Sequence, residues 1–196
     1  MDENVSIRTD DLKDALIIAG MSELELHGLS GFSLRRVASA CGVSCAAPYR
    51  HFKSKDDLIL AIIGYIYERW ALLCEHIKST FGNDLRRCLT EVCVANIRFW
   101  IANPNFRSIM TLDDKSLDTL QIRERSKLNE DIYHLISEFC LENSVAHDAE
   151  TKMSFAIHSI IFGAMQMLGS GEIKNTPEVM SMIRSCIDDV ISAATG

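Results

Sequence analysis

Three residues, Ser33, Gly42 and Ser44, punctuate one short stretch of this chain and leave it few ways to fold. A serine is a strong helix N-cap, because its side-chain oxygen accepts from an orphan N–H of the first turn. A glycine just past a helix is a common left-handed stop. The text Leu34-Arg35-Arg36-Val37-Ala38-Ser39-Ala40-Cys41 therefore reads as a short helix that stops at Gly42. A second short helix starts after the Ser44 cap. Pro48 falls in or just after its first turn, where a missing N–H costs least. Two helices joined this tightly must touch at a steep angle. Ala38 is the small contact residue, and Val37, Cys41 and Val43 supply the apolar underside.

The charge of this stretch differs from that of the chain. From Gly31 to Lys55 there are five Lys/Arg and no Asp or Glu, within 196 residues of formal charge −7. A small basic footprint on an acidic body fits a docking surface better than a general polyelectrolyte binder. The layout is that of a DNA-reading helix pair. The second helix begins Cys45-Ala46-Ala47, and small side chains there let a backbone sit deep in a major groove. Alanine and the cysteine side chain can touch thymine methyls. The helix finishes with Tyr49, Arg50, His51 and Phe52. Phe52 is expected in the core, while Tyr49 and His51 are able to donate to phosphate oxygens. Lys55 opens the next helix, whose free N–H groups also favour a phosphate. Arg35 and Arg36 have a blander reading as a solvated face.

Residues Phe32 to Lys55 resemble the helix-turn-helix of the tetracycline-repressor family of bacterial transcription regulators. The marks are Leu34-Arg35-Arg36-Val37-Ala38, Gly42-Val43-Ser44, Pro48-Tyr49-Arg50-His51-Phe52 and Lys55. A weaker likeness lies in Phe99 to Met110, similar to a helix-break segment in one branch of the family. The resemblance implies that Arg35, Cys45, Ala46 and Ala47 face base edges or the adjacent backbone. It implies that Ser44, Tyr49, His51 and Lys55 fix phosphates. Ser33 and Arg50 complete the candidate DNA-binding set.

The rest of the chain reads as helices too, because it has three prolines and few alternating runs. The expectation is an all-α protein of about nine helices. The first runs from Asp10 to about His27, its face marked by Leu12, Ala15, Leu16, Ala19, Glu23 and Leu26, with Glu23 breaking an apolar stripe. The third is the one capped by Ser44. A fourth, about Lys55 to Thr80, starts at a Ser54/Asp57 capping box. The fifth spans about Asn83 to Ala102, a short sixth about Phe106 to Leu112, and the seventh about Ser116 to Glu142. The eighth runs about Asp148 to Leu168. The ninth starts at Thr176-Pro177-Glu178 and ends near Ala194. Residues 1–54 are read as a three-helix DNA-binding domain and 55–196 as a helical effector-binding and dimerisation domain.

The eighth helix is apolar on more than one face. Met153, Ala156, Ile157, Ile160, Ile161, Ala164, Met167 and Leu168 form a band, and Phe155 and Phe162 lie off it. Such a helix needs cover on both sides, most simply from a second copy. The family uses its last two helices this way, so the expected homodimer forms through Met153 to Leu168 and Val179 to Ala194. The resemblance also implies a small-molecule pocket among the middle helices. Trp70, Phe99, Trp100, Phe106 and Met110 are its candidate lining, for an apolar or amphipathic effector. The implied mechanism is a dimeric repressor on a near-palindromic double-stranded DNA operator, released when the effector selects a second state.

Other classes find little support. The first fifteen residues carry five acidic groups and no apolar segment, so no signal peptide is read and the protein is expected in the cytoplasm. The apolar run Ile157 to Leu168 is too short to span a bilayer, so no membrane partner is expected. The seven cysteines include no C-x-x-C pair and read as reduced, mostly buried thiols, with a redox role for Cys41 or Cys45 as the alternative. No nucleophile motif, Gly-rich phosphate loop or pair of Glu-x-x-His motifs is present, so no enzyme, cofactor or metal is expected. The remaining alternative is a helical interaction module or ligand carrier without DNA binding. It leaves the acid-free stretch and its caps unexplained.

Overall fold

The computed structural model describes residues 9–104 and 118–195. Among these are seven α-helices, one short 3-10 turn and no strand. The helices are α1 (Thr9–Gly31), α2 (Leu34–Ala40), α3 (Lys55–Phe81), α4 (Leu85–Ala102), α5 (Thr119–Glu142), α6 (His147–Gly169) and α7 (Pro177–Thr195). The all-helical expectation holds, but the count is seven where about nine were expected. The expected sixth helix, Phe106 to Leu112, lies outside the described residues. So do Phe106 and Met110 of the candidate pocket lining.

The expected third helix is replaced by the 3-10 turn Pro48–Arg50. Pro48 is the cause. In an α-helix running on from Ser44, residue 48 must donate its N–H to the Ser44 carbonyl, and proline has none. That carbonyl instead accepts from Ala47 N–H at 2.9 Å, closing a tight turn. Arg50 N–H then bonds Ala47 O at 3.1 Å, and Phe52 N–H bonds Pro48 O at 2.9 Å. The helical path is thus one turn long and begins at the proline.

The chain divides into two compact units, Met1–Tyr67 with Asn105–Arg125, and Glu68–Pro104 with Ser126–Gly196. In the first, α1 packs on α2. Leu16, Ile17, Met21 and Leu24 of α1 are buried, with Phe32, Val37, Ala38, Phe52, Leu58, Ile59 and Ile62. Gly20 lets α1 come close: a Cβ there would stand 2.9 Å from Ile62 Cδ1. The expected α1 stripe is corrected at one end, because Leu26 faces solvent while Glu23 is buried. The α3 start carries its capping box. Asp57 N–H donates to Ser54 Oγ at 3.2 Å, and Asp57 Oδ2 accepts from Lys53 N–H at 2.8 Å.

In the second unit α4 packs on α6 and α7, which also pack on each other. Its core takes Cys88, Leu89, Val92, Cys93 and Ile97 from α4 and Met153, Ile157, Ile161, Met165 and Leu168 from α6. Met180, Ile183, Ile187 and Ile191 come from α7 at three- and four-residue spacing. Polar pins set the register of α4 on α7. Arg184 grips Glu91 with two hydrogen bonds of 2.7 and 3.0 Å, and Thr90 Oγ1 donates to Asp188 at 2.6 Å. No helix among the described residues is long and apolar enough to cross a membrane.

Replacing Pro48 by alanine returns the missing N–H to the Ser44 carbonyl. Residues 44–51 of Pro48→Ala should close into one α-helix, read as a move of the Cys45 to Ala47 backbone carbon shifts to helical values. Unmoved shifts would rule out proline as the cause of the turn.

Candidate nucleic-acid interface

The interface residues stand on two helix ends and the turn between them. Ser33 caps α2 as expected, its Oγ accepting from Arg36 N–H at 3.4 Å. The far end of α2 closes with two bonds of a Schellman motif. Gly42 N–H bonds Ser39 O at 3.1 Å and Val43 N–H bonds Ala38 O at 3.0 Å. That closure needs a left-handed residue, and Gly42 supplies it with φ 68°. Val37 and Ala38 are buried beneath the turn.

Glu23 holds this arrangement to α1. Its carboxylate accepts from the Ser33 backbone N–H at 3.0 Å and from Arg36 Nε at 2.9 Å. A second nitrogen of the same guanidinium, Nη2, reaches both Glu23 and the Gly31 carbonyl. Burial pushes the Glu23 carboxyl up, but Arg36, the Ser33 N–H and the nearby His27 outweigh it and hold it below the ordinary carboxylate value. Arg36 therefore belongs to the fold of the head. Its neighbour Arg35 is exposed, with no partner among the described residues.

Lys55 also turns inward. Its Nζ donates to the Leu29 carbonyl and lies 5.9 Å from the centre of the Phe32 ring. Of the five cations between Gly31 and Lys55, four are exposed, and of these Arg36 is tied to Glu23 while Arg35, Arg50 and Lys53 are not. Ser44, Cys45 and Ala46 are exposed with them, and Tyr49 is 60% exposed. Ser33, Ala47 and His51 are half-buried, while Phe52 is in the core as expected. The Cys41 thiol donates to the Ala15 carbonyl at 3.4 Å and is pushed up by burial, so it is held as a thiol.

Glu23 is the residue that reading the sequence missed as a partner. The signal was there: a lone acid on an apolar stripe, ahead of a run with cations and no acid. Of the candidate effector residues, Trp70 and Trp100 are fully buried in the second unit. Phe99 joins them, its ring centre 5.6 Å from Trp70 and 5.4 Å from Trp100. No cluster of three or more His, Cys, Asp or Glu stands ready for a metal among the described residues.

Residues 16–62 match the family model of bacterial regulatory proteins, tetR family. Over that segment the chain is similar to the tetR family. The match covers the head, and the rest is alike in fold. A TetR-family transcription regulator from Marinobacter aquaeolei aligns with TM-score 0.74 at 21% identity, covering 93% of this chain and 96% of that one. AmtR of Mycobacterium smegmatis aligns with TM-score 0.64 at 20% identity over 91% and 85% of the two chains. The TetR-family transcriptional regulator PfmR of Thermus thermophilus aligns with TM-score 0.61 at 18% identity over 90% and 97%. The likeness to these structures is one of fold.

The depressed Glu23 has a stability signature in the head. Its ionised form is favoured by folding, so its contribution is complete at neutral pH and is lost as pH falls from the ordinary carboxylate value through its lowered folded one. Glu23→Gln should destabilise the chain by about 1–2 kcal/mol at pH 7 in denaturant unfolding. It should also flatten the acid limb of the stability curve. Equal acid limbs in the two proteins would show that the Glu23 grip contributes nothing.

Proposed function

We propose that this chain is a homodimeric repressor of the tetR family that binds a near-palindromic DNA operator and is released by a small effector. The observation that carries the reading is the exposed set Arg35, Arg50 and Lys53 beside the exposed Ser44, Cys45 and Ala46. Cations and small side chains together suit a surface that settles onto phosphates and lets a backbone approach base edges. Arg35, Cys45, Ala46 and Ala47 are assigned to base edges or the adjacent backbone. Ser33, Ser44, Tyr49, Arg50, His51 and Lys55 are assigned to phosphates. Lys55 gives one of its three ammonium protons to Leu29 and keeps two for a phosphate. The functional division is taken at residues 1–54 and 55–196.

The dimer reading rests on apolar surface. On α6, Phe155 and Phe162 are 76% and 61% exposed, and Met182 of α7 is exposed too. The two phenylalanines are two helical turns apart, so they share one face. A second copy of α6 and α7 covers them. Effector binding is assigned to Trp70, Phe99 and Trp100, with Phe106 and Met110. The effector acts by favouring a state of lower DNA affinity.

Selection of bound DNA from a random pool tests the whole reading. The expected result is a consensus of two half-sites, reduced to a single half-site for the interface variant Phe162→Arg. No enrichment would favour a helical interaction module or ligand carrier in place of a regulator. On the selected operator, Arg50→Ala should weaken binding and flatten the salt dependence by about one unit. An unchanged slope, measured by titration at several salt concentrations, would remove Arg50 from the phosphate contacts.

A further inference from the structure

Among the described residues of the second unit, three buried hydrogen-bond donors have no partner. They are the indole N–H groups of Trp70 and Trp100 and the side-chain amide nitrogen of Asn96. The side chains are sealed from solvent, Trp70 at 0%, Asn96 at 1% and Trp100 at 1% exposure. Asn96 and Trp100 stand one turn apart on α4 and share a face. Trp70 and Trp100 both pack on Phe99, which bridges α3 and α4 in this unit. The three donors thus belong to one aromatic cluster.

Buried polar groups in folded proteins nearly always find a partner, and a donor that loses one is costly to keep dry. Three orphans in one cluster mark a place where an acceptor from outside the chain belongs. The need of these three is one-sided, since each is an N–H; the other unpartnered buried atom among the described residues of the unit, His158 Nε2, stands on α6. The need is also uncharged. The buried polar residues among those described are Glu23, Thr90, Asn96 and Gln121, none of them a cation. An anion placed here would lose its water and meet no fully buried cation among the described residues. A donor-rich head such as an amine would face N–H groups only.

We propose that this cluster binds an uncharged, largely apolar molecule that presents a carbonyl-type acceptor oxygen to Asn96, Trp70 and Trp100. The assignment rests on the effector reading above and narrows it to one chemical class.

The chain has two tryptophans and both lie in the cluster, so intrinsic fluorescence reads the site directly. The full chain is titrated with methyl octyl ketone, decanoate and decylamine, which match in length and differ in the head group. The ketone should shift the emission saturably, decanoate should bind more weakly, and decylamine should give no shift. Asn96→Leu removes one N–H at nearly constant volume and should weaken the ketone about fivefold. It should not lower the thermal midpoint of the free protein, because the lost N–H was unpaired there. A lowered midpoint would mean that the amide already has a partner, such as a buried water, and would overturn the proposal. Tighter binding of decanoate or decylamine, or no saturable shift with any of the three, would overturn it as well. Operator release is followed in the same titration. A ketone that fills the cluster and leaves DNA bound removes the effector reading and leaves this assignment standing.

Discussion

One buried carboxylate organises the head of this molecule. Glu23 reaches from α1 to the first N–H of the α2 cap and to the guanidinium of Arg36, which in turn holds the Gly31 carbonyl. A carboxylate taken out of water must be met by donors, and here a backbone N–H and one guanidinium meet it. The connection fixes where α2 begins, and with it the turn at Gly42 and everything that follows. It also ties Arg36 to the head, although the side chain stays half exposed. A basic stretch that looks uniform along the sequence is thereby divided into cations that hold the head and cations that face outward.

What was legible in the sequence, and what was not, follows the range of each interaction. The Ser33 cap, the Gly42 stop and the Ser54/Asp57 box all act within a few residues, and each stands where local chemistry put it. The amphipathic pattern of the last helix predicts Ile183, Ile187 and Ile191 in its buried stripe, but it also points to Met182 and Cys186, which are exposed, and passes over the buried Met180. Glu23 and Arg36 are thirteen positions apart, so no local rule links them. Glu23 looked like a flaw in a stripe, and Arg36 like part of a solvated face. The effect of Pro48 depended on where the helix origin lies. At a first helical position its missing N–H is harmless, whereas four residues after Ser44 it removes the bond the helix needs.

The second unit is built by a different balance. Aliphatic side chains of α4, α6 and α7 fill it, and its ionic contacts sit at the margin, as with Arg184 and Glu91. Its buried cysteines follow the same rule. Burial raises Cys74, Cys88, Cys93 and Cys140 alike, so they behave as small apolar groups. Against that apolar background the few buried polar atoms gain meaning. A single amide or indole N–H in such an interior defines an orientation for whatever shares the space.

The turn at Pro48 has a consequence for how a protein of this kind changes over generations. Cys45 and Ala46 lie outside any α-helical hydrogen-bond ladder and outside the core. Side chains at such positions carry little of the folding free energy, so most replacements there are tolerated. Core positions such as Val37 and Phe52 carry much of it and resist change. Variation in what is recognised is thus separated from variation in whether the chain folds. A lineage is free to explore new recognition sequences one substitution at a time without first acquiring compensating stability.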